Sequence, residues 1–186
     1  MKSKRTIICA AAVLLAVGAA RGADNSLWPG RLSAPATGEK YLDREVSLDL
    51  FGSYLNPERK FPNLFSTNIR QGRWGGGAGL NYFFLKNVGL EGDVNLSDHP
   101  GRIVDQVVGN LVLRLPLGNT GLAPYIFGGG GRAVSPRWDW VYGGGVGLEY
   151  RFSPRFGLFA DGRFLWDHRT TAENRLVLRA GLRIVF

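Results

Sequence analysis

Cysteine is nearly absent: the 186 residues hold one, Cys9, inside an apolar run close to the N-terminus. Once that run is removed on processing, the remaining chain has no thiol, which excludes disulfides and cysteine-held metal. Histidine occurs twice, and lysine only at positions 2, 4, 40, 60 and 86. Past residue 23 no apolar run approaches the ~20 residues that a membrane-crossing helix needs, and no segment keeps a helical period. A helical bundle and a helical membrane protein are both disfavoured. What the chain has instead is glycine, 27 residues of it, and aromatics at 12%, with a mean hydropathy of −0.06. Glycine at about twice the usual share, among evenly diluted apolar residues, points to repeated short strands.

The formal charge of +8 raises nucleic acid as a partner. Lys2, Lys4, Arg5 and Arg21 precede the first acid, Asp24, and beyond them 19 basic residues face 15 acidic ones, a net of +4. Those charges are scattered singly along alternating segments. The clustered basic stripe of a nucleic-acid binder is missing, and no nucleic-acid partner is expected. The basic start reads as the front of a leader. Met1–Arg5 carries three positive charges, Ile7–Ala20 is a 14-residue apolar run, and small residues follow. That order is a secretory signal peptide, with cleavage after Ala20, Gly22 or Ala23. Residues 1–23 are expected to direct Sec-type export and then be lost, Cys9 with them. Residues 24–40 contain Pro29, Pro35, Gly30 and Gly38 without periodicity and read as a flexible tail. The domain proper is expected over residues 41–186.

From Tyr41 onward apolar residues recur at every second position, the signature of strands. Eight such segments can be drawn. Val46, Leu48, Leu50 and Tyr54 share one face of the first, opposite Ser47, Asp49 and Ser53. The second sets Trp74, Ala78, Leu80 and Tyr82 against Gly75, Gly77, Gly79 and Asn81. The third sets Val88, Leu90, Val94 and Leu96 against Glu91, Asp93 and Asn95, and the fourth Val107, Leu111, Leu113 and Leu115 against Gln106, Asn110 and Arg114. The fifth, Leu122–Gly131, is too glycine-rich for its faces to be assigned. In the sixth, Trp140, Tyr142, Val146, Leu148, Tyr150 and Phe152 oppose Asp139, Glu149 and Arg151. The seventh sets Phe156, Leu158, Ala160, Phe164 and Trp166 against Asp161 and Arg163. The eighth closes the chain, with Leu176, Leu178, Ala180, Leu182, Ile184 and Phe186 opposite Arg175, Arg179 and Arg183.

Short links at 84–87, 116–121 and 153–155 alternate with longer ones at 56–71, 97–102, 133–137 and 167–173. An up-and-down meander with one trimmed rim and one elaborated rim follows. Gly75–Leu96 and Gly143–Phe164 also align without gaps, ten of 22 positions being identical. Both hairpins are expected to sit alike in one sheet.

The apolar faces should look outward. They carry aromatics near their ends, at Trp74, Tyr82, Trp140, Tyr150, Phe152, Phe156, Trp166 and Phe186, as membrane-interface girdles do. Segments of about 9–11 residues suit a tilted strand crossing a bilayer and exceed the usual soluble strand. The opposite faces bear both signs of charge: Asp49, Glu91, Asp93, Glu149 and Asp161 against Arg114, Arg151, Arg163, Arg179 and Arg183. In lipid an open sheet edge leaves peptide groups unpaired, so the sheet has to close. The expected fold is all-β, an eight-stranded antiparallel up-and-down transmembrane β-barrel. Its lumen is just wide enough for side chains to fill, and those ten charged residues are expected to plug it as an ion-pair lattice. Inward glycines would relieve crowding at such a small radius.

Leader, repeats and terminus together carry a resemblance. Trp74-Gly-Gly-Gly-Ala-Gly-Leu-Asn-Tyr82, Tyr142-Gly-Gly-Gly-Val-Gly-Leu-Glu-Tyr150 and the terminal Leu178-x-Ala180-x-Leu182-x-Ile184-x-Phe186 resemble the small outer-membrane β-barrels of the OmpA/OmpX type. The resemblance spans residues 41–186. It implies the outer membrane of a Gram-negative type of envelope and a structural or surface-interaction role. It also implies that Leu178, Ala180, Leu182, Ile184 and Phe186 form the signal read by the barrel-assembly machinery.

Catalysis, metal and cofactor are not expected. His99 and His168 lie beside Asp98 and Asp167 in long connections, with no third ligand at useful spacing. The stretch Asp167–Glu173 has a His and a Glu, but Thr170 stands where a lipid A deacylase needs serine. The Gly128–Gly131 run is no phosphate cradle, since no helix follows it. One loop does offer a partner surface. Asn56–Gln71 carries Arg59, Lys60, Phe61, Phe65 and Arg70, cationic and aromatic groups suited to outer-membrane lipid and lipopolysaccharide phosphates. The chain is expected to act as a monomer. The alternatives are a narrow porin and a lipid A-modifying enzyme.

Overall fold

The computed structural model of the chain describes residues 40–58, 73–99, 102–134, 139–167 and 174–186. The leader, the tail to residue 39 and the loop residues Arg59, Lys60, Phe61, Phe65 and Arg70 lie outside them. Among the described residues eight strands follow one another: β1 (Glu45–Glu58), β2 (Arg73–Leu85), β3 (Val88–His99) and β4 (Arg102–Arg114), then β5 (Leu122–Ala133), β6 (Asp139–Arg151), β7 (Phe156–Asp167) and β8 (Asn174–Val185). Each pairs antiparallel with the next, and β1 pairs with β8, so the sheet is a closed barrel without free edges. This is the eight-stranded up-and-down barrel that the alternation predicts. The strands run 12–14 residues, longer than the 9–11 marked by apolar periodicity. Ladder hydrogen bonds continue past the last apolar residue, because backbone pairing does not need a hydrophobic side chain.

Polarity is inverted relative to a soluble sheet. Trp74 is 76% exposed and Val146 65%, whereas Glu149 and Arg151 are both 0%. Aromatic pairs occupy both ends of the outer wall: Tyr142–Trp166 and Phe164–Trp166 towards the long connections, Phe152–Phe156 towards the short turns. Strand β5, whose faces the sequence leaves open, turns Tyr125 and Phe127 inward and Ile126 outward. Those two rings, with Phe51 and Phe83, explain several glycines. A Cβ added at Gly77, Gly89 or Gly145 would stand 2.6 Å from a ring carbon of Phe51, Phe83 or Phe127 respectively. The inward glycines are the floor on which lumen aromatics lie.

One irregularity affects the long-connection end. The β3–β4 register shifts between Asn95 and Leu96, and in that bulge Asp105 and Gln106 are both buried. A bulge sets two residues of one strand against one of its partner, which is how consecutive residues come to share the inside.

Candidate functional site

The lumen is the only dense assembly of charge among the described residues, and register builds it. Inward positions of neighbouring strands face one another, so Asp49 meets Arg183 across β1–β8 and Asp161 meets Arg179 across β7–β8. Arg183 grips Asp49 through Nε and Nη2 at 2.7 and 2.6 Å. Arg179 grips Asp161 through Nε and Nη2 at 2.8 and 2.9 Å. Other contacts cross the lumen instead of the sheet.

Two layers result. Nearer the short turns, Arg151 bonds Glu45 through both terminal nitrogens, and its Nε lies 2.6 Å from Glu149 Oε1. Arg114 Nη1 reaches Glu45 at 3.1 Å and Glu149 at 3.4 Å, while Arg183 Nη1 bonds Glu149 at 2.6 Å. Further up, Arg163 donates to both oxygens of Asp93, at 3.2 and 2.7 Å. Arg179 Nη1 bonds Glu91 Oε1 at 2.9 Å. Tyr125 donates its hydroxyl to Asp161 Oδ2 at 2.8 Å, and the Asn110 amide donates to Asp93 at 3.3 Å.

Each of the five guanidiniums also lies over a ring. Arg114 sits 3.8 Å from the Phe83 centroid and Arg151 4.3 Å from that of Tyr41. Arg163 covers Phe127, Arg179 covers Phe51 and Arg183 covers Phe159, all at 5.0–5.2 Å. The planar, weakly hydrated guanidinium satisfies a carboxylate at its edge and a ring at its face, which suits a narrow lumen packed with both. The compact, strongly hydrated ammonium of lysine lacks that planar fork, consistent with its scarcity here.

All ten charged residues singled out from the sequence point inward. Only some of them pair with a sequence neighbour: Arg151 does so with Glu149 on its own strand. Arg163 pairs with Asp93 on the far wall and not with Asp161, two positions away on its own strand. Sequence reasoning also missed Glu45, which continues the inward series Ser47 and Asp49 one step back and was readable from period two. It missed Tyr41 and Lys40 as lumen residues. The guanidiniums of Arg114 and Arg151 both lie against the Tyr41 ring, its hydroxyl donates to the Gly121 carbonyl at 2.7 Å, and Lys40 Nζ bonds the Arg151 carbonyl. Burial, with the Glu149 carboxylate nearby, pushes the Tyr41 phenol above its ordinary range. The start of the domain thus folds across the short-turn mouth. Lys40, assigned to the tail, is part of that closure.

The proposed assembly segment lies on the outer wall: Leu178, Ala180 and Phe186 are exposed, Leu182 and Ile184 partly so. The Phe186 backbone N–H donates to the Val46 carbonyl at 3.0 Å, extending the β1–β8 seam to the last residue. His99 ends β3, and His168 lies outside the described residues, as does the stretch 168–173.

No protein-family model and no curated protein matches the chain. Solved structures do match its fold. The N-terminal β-barrel domain of OprF from Pseudomonas aeruginosa is 14% identical, over 77% of this chain and 98% of that one, with a TM-score of 0.58. Ail, the attachment invasion locus protein of Yersinia pestis, is 16% identical over 78% and 100%, with a TM-score of 0.53. Neisserial surface protein A is 12% identical over 76% and 96%, with a TM-score of 0.50. With eight antiparallel strands closed on a charged interior beneath an apolar outer wall, the chain has the fold of the small outer-membrane β-barrels of the OmpA/OmpX type.

Proposed function

We propose that this chain is an integral outer-membrane barrel with a structural or surface-interaction role, a lumen closed by charge pairing, and no catalysis. One observation carries the reading: large apolar side chains are exposed around the outer wall while five arginines and their carboxylates are buried inside. Burying such charges in water while exposing Trp, Leu and Phe would be costly; in lipid the same arrangement is stable. The leader supports export, and the exposed aromatic pairs support a bilayer with two interfaces. The long-connection rim is where partners meet the protein. The cations and rings of Asn56–Gln71 suit a polyanionic surface such as lipopolysaccharide phosphate. Ail, a neighbour in fold, was crystallised with the heparin analogue sucrose octasulfate, a polyanion as well.

Membrane fractionation tests the placement. The protein should resist carbonate and salt washing, stay with the outer membrane, and show heat-dependent gel mobility. Complete release on washing without a mobility shift would sink the reading. Planar-bilayer recording tests the closed lumen: no steady openings are expected, and regular single-channel steps would make the protein a narrow porin instead.

Assembly gives a further expectation. Deleting Phe186, or placing a charge there, should reduce folded barrel in cells severalfold, whereas Leu115→Ala on the same outer wall should not. Phe186 ends the β1–β8 seam with an exposed ring, where an assembly factor can read it. Equal folded yields for these variants would show that the terminus is not being read.

A further inference from the structure

The two lumen layers do not carry the same charge balance. In the layer nearer the short turns, Glu45, Asp49 and Glu149 meet Arg114, Arg151 and Arg183, three carboxylates to three guanidiniums. In the layer above it, Glu91, Asp93 and Asp161 meet only Arg163 and Arg179. All five of these side chains are at most 7% exposed. Asp105, further out at the long-connection rim, adds another acid and no cation. An unmatched charge in a narrow interior carries a large desolvation penalty, which proteins relieve by neutralising the group.

Hydrogen bonding identifies which carboxylate is in excess. Asp93 receives three hydrogen bonds, two of them from Arg163. Asp161 also receives three, from Arg179 twice and Tyr125. Glu91 receives one, from Arg179 to Oε1; Arg163 Nη2 stands 3.5 Å from the same oxygen. Beside it is a second orphan. Asn81 is the β2 residue directly opposite Glu91 in the β2–β3 ladder. It is 1% exposed, and neither its amide nitrogen nor its oxygen has a partner. Facing inward residues of neighbouring strands stand about 5 Å apart at Cβ, within reach of a glutamic acid hydroxyl and an asparagine oxygen. Ser47, opposite Asn81 on β1, has an unpartnered hydroxyl too.

We infer that Glu91 is a proton-binding site: it is held as a neutral carboxylic acid, Oε1 accepting from Arg179 and the acid hydroxyl donating to Asn81 Oδ1. This gives the upper layer two carboxylates for two guanidiniums and supplies the donor that Asn81 lacks. The charged and titratable groups around it are Asp49 on β1, Asp93 on β3, Arg163 and Asp161 on β7 and Arg179 on β8, with Asn110 facing it from β4. None of them is a second cation free to take the place of the proton. The inference rests on the lumen alone and holds whatever the barrel meets at its surface.

Two measurements test it on the full mature chain refolded in detergent or lipid at neutral pH. Glutamine copies a protonated glutamate in shape and charge, so Glu91→Gln should leave the urea midpoint of unfolding unchanged. Asp93→Asn and Asp49→Asn, which each remove a gripped carboxylate, should lower it clearly. Infrared spectroscopy of the wild type should show a protonated carboxyl C=O band that disappears in Glu91→Gln and survives in Asp49→Asn. A midpoint loss in Glu91→Gln equal to that in Asp93→Asn would overturn the inference. So would the absence of the band from the wild type, or its persistence in Glu91→Gln.

Discussion

Replacing Arg163 with alanine should lower the unfolding free energy by about 3–5 kcal/mol, less to the extent that water enters the gap. The loss has a specific shape. Arg163 is 1% exposed and holds Asp93 through both terminal nitrogens, so its removal leaves a buried carboxylate with an amide from Asn110 and a longer contact to Arg179 Nη1 at 3.3 Å. Adding Asp93→Asn removes the stranded charge and should recover part of the loss. Adding Asp161→Asn should recover none and should cost more, because it strips Arg179 of its bidentate partner. Urea titration read by heat-modifiable gel mobility measures all four proteins. Recovery through position 161 instead of position 93 would contradict the cross-lumen pairing.

A second large effect is steric. Gly147→Leu should prevent or severely weaken closure of the β5–β6–β7 wall. A Cβ there would stand 2.6 Å from Tyr125 Oη and 2.7 Å from Asp161 Cβ, with the Tyr125 ring carbon Cζ closer still. Overpacking a core costs about 1–3 kcal/mol for the volume alone. Displacing Tyr125 also breaks its hydrogen bond to Asp161, which orients the carboxylate that Arg179 grips. Gly92→Leu is the control: its added Cβ points outward and meets nothing within 4 Å. Refolding yield should collapse for the first and stay near wild type for the second. Similar yields would mean that the lumen has slack which its inward glycines do not need to provide.

Much of this arrangement was readable one strand at a time. Alternation assigned Asp49, Glu91, Arg114 and Arg179 to the polar face, and each is buried in the lumen. Alternation failed at β5, where glycines erase the contrast between faces; Tyr125 and Phe127 were placed only by the register with β6, in which Gly147 faces Tyr125 and Gly145 faces Phe127. It stopped one inward step short of Glu45, because Val46 was the first apolar residue of the series. Tyr41 was beyond its reach altogether. A ring laid against two arginines at the short-turn mouth leaves no periodic trace.

By itself the sequence determined the wall of this protein: eight strands, which face of seven of them is polar, and which end has short turns. Period two is a property of the chain, and inward or outward follows from it without knowledge of any neighbour. Only the tertiary structure decided who meets whom. Arg163 from β7 reaches Asp93 on β3, and Arg151 from β6 reaches Glu45 on β1, contacts that depend on the stagger accumulated around all eight strands before β8 closes on β1. The balance of three carboxylates with three guanidiniums in one layer and three with two in the next is likewise a consequence of closure. Charges assigned to one face are merely inward along a single strand; their height and opposite number exist only once the barrel is shut.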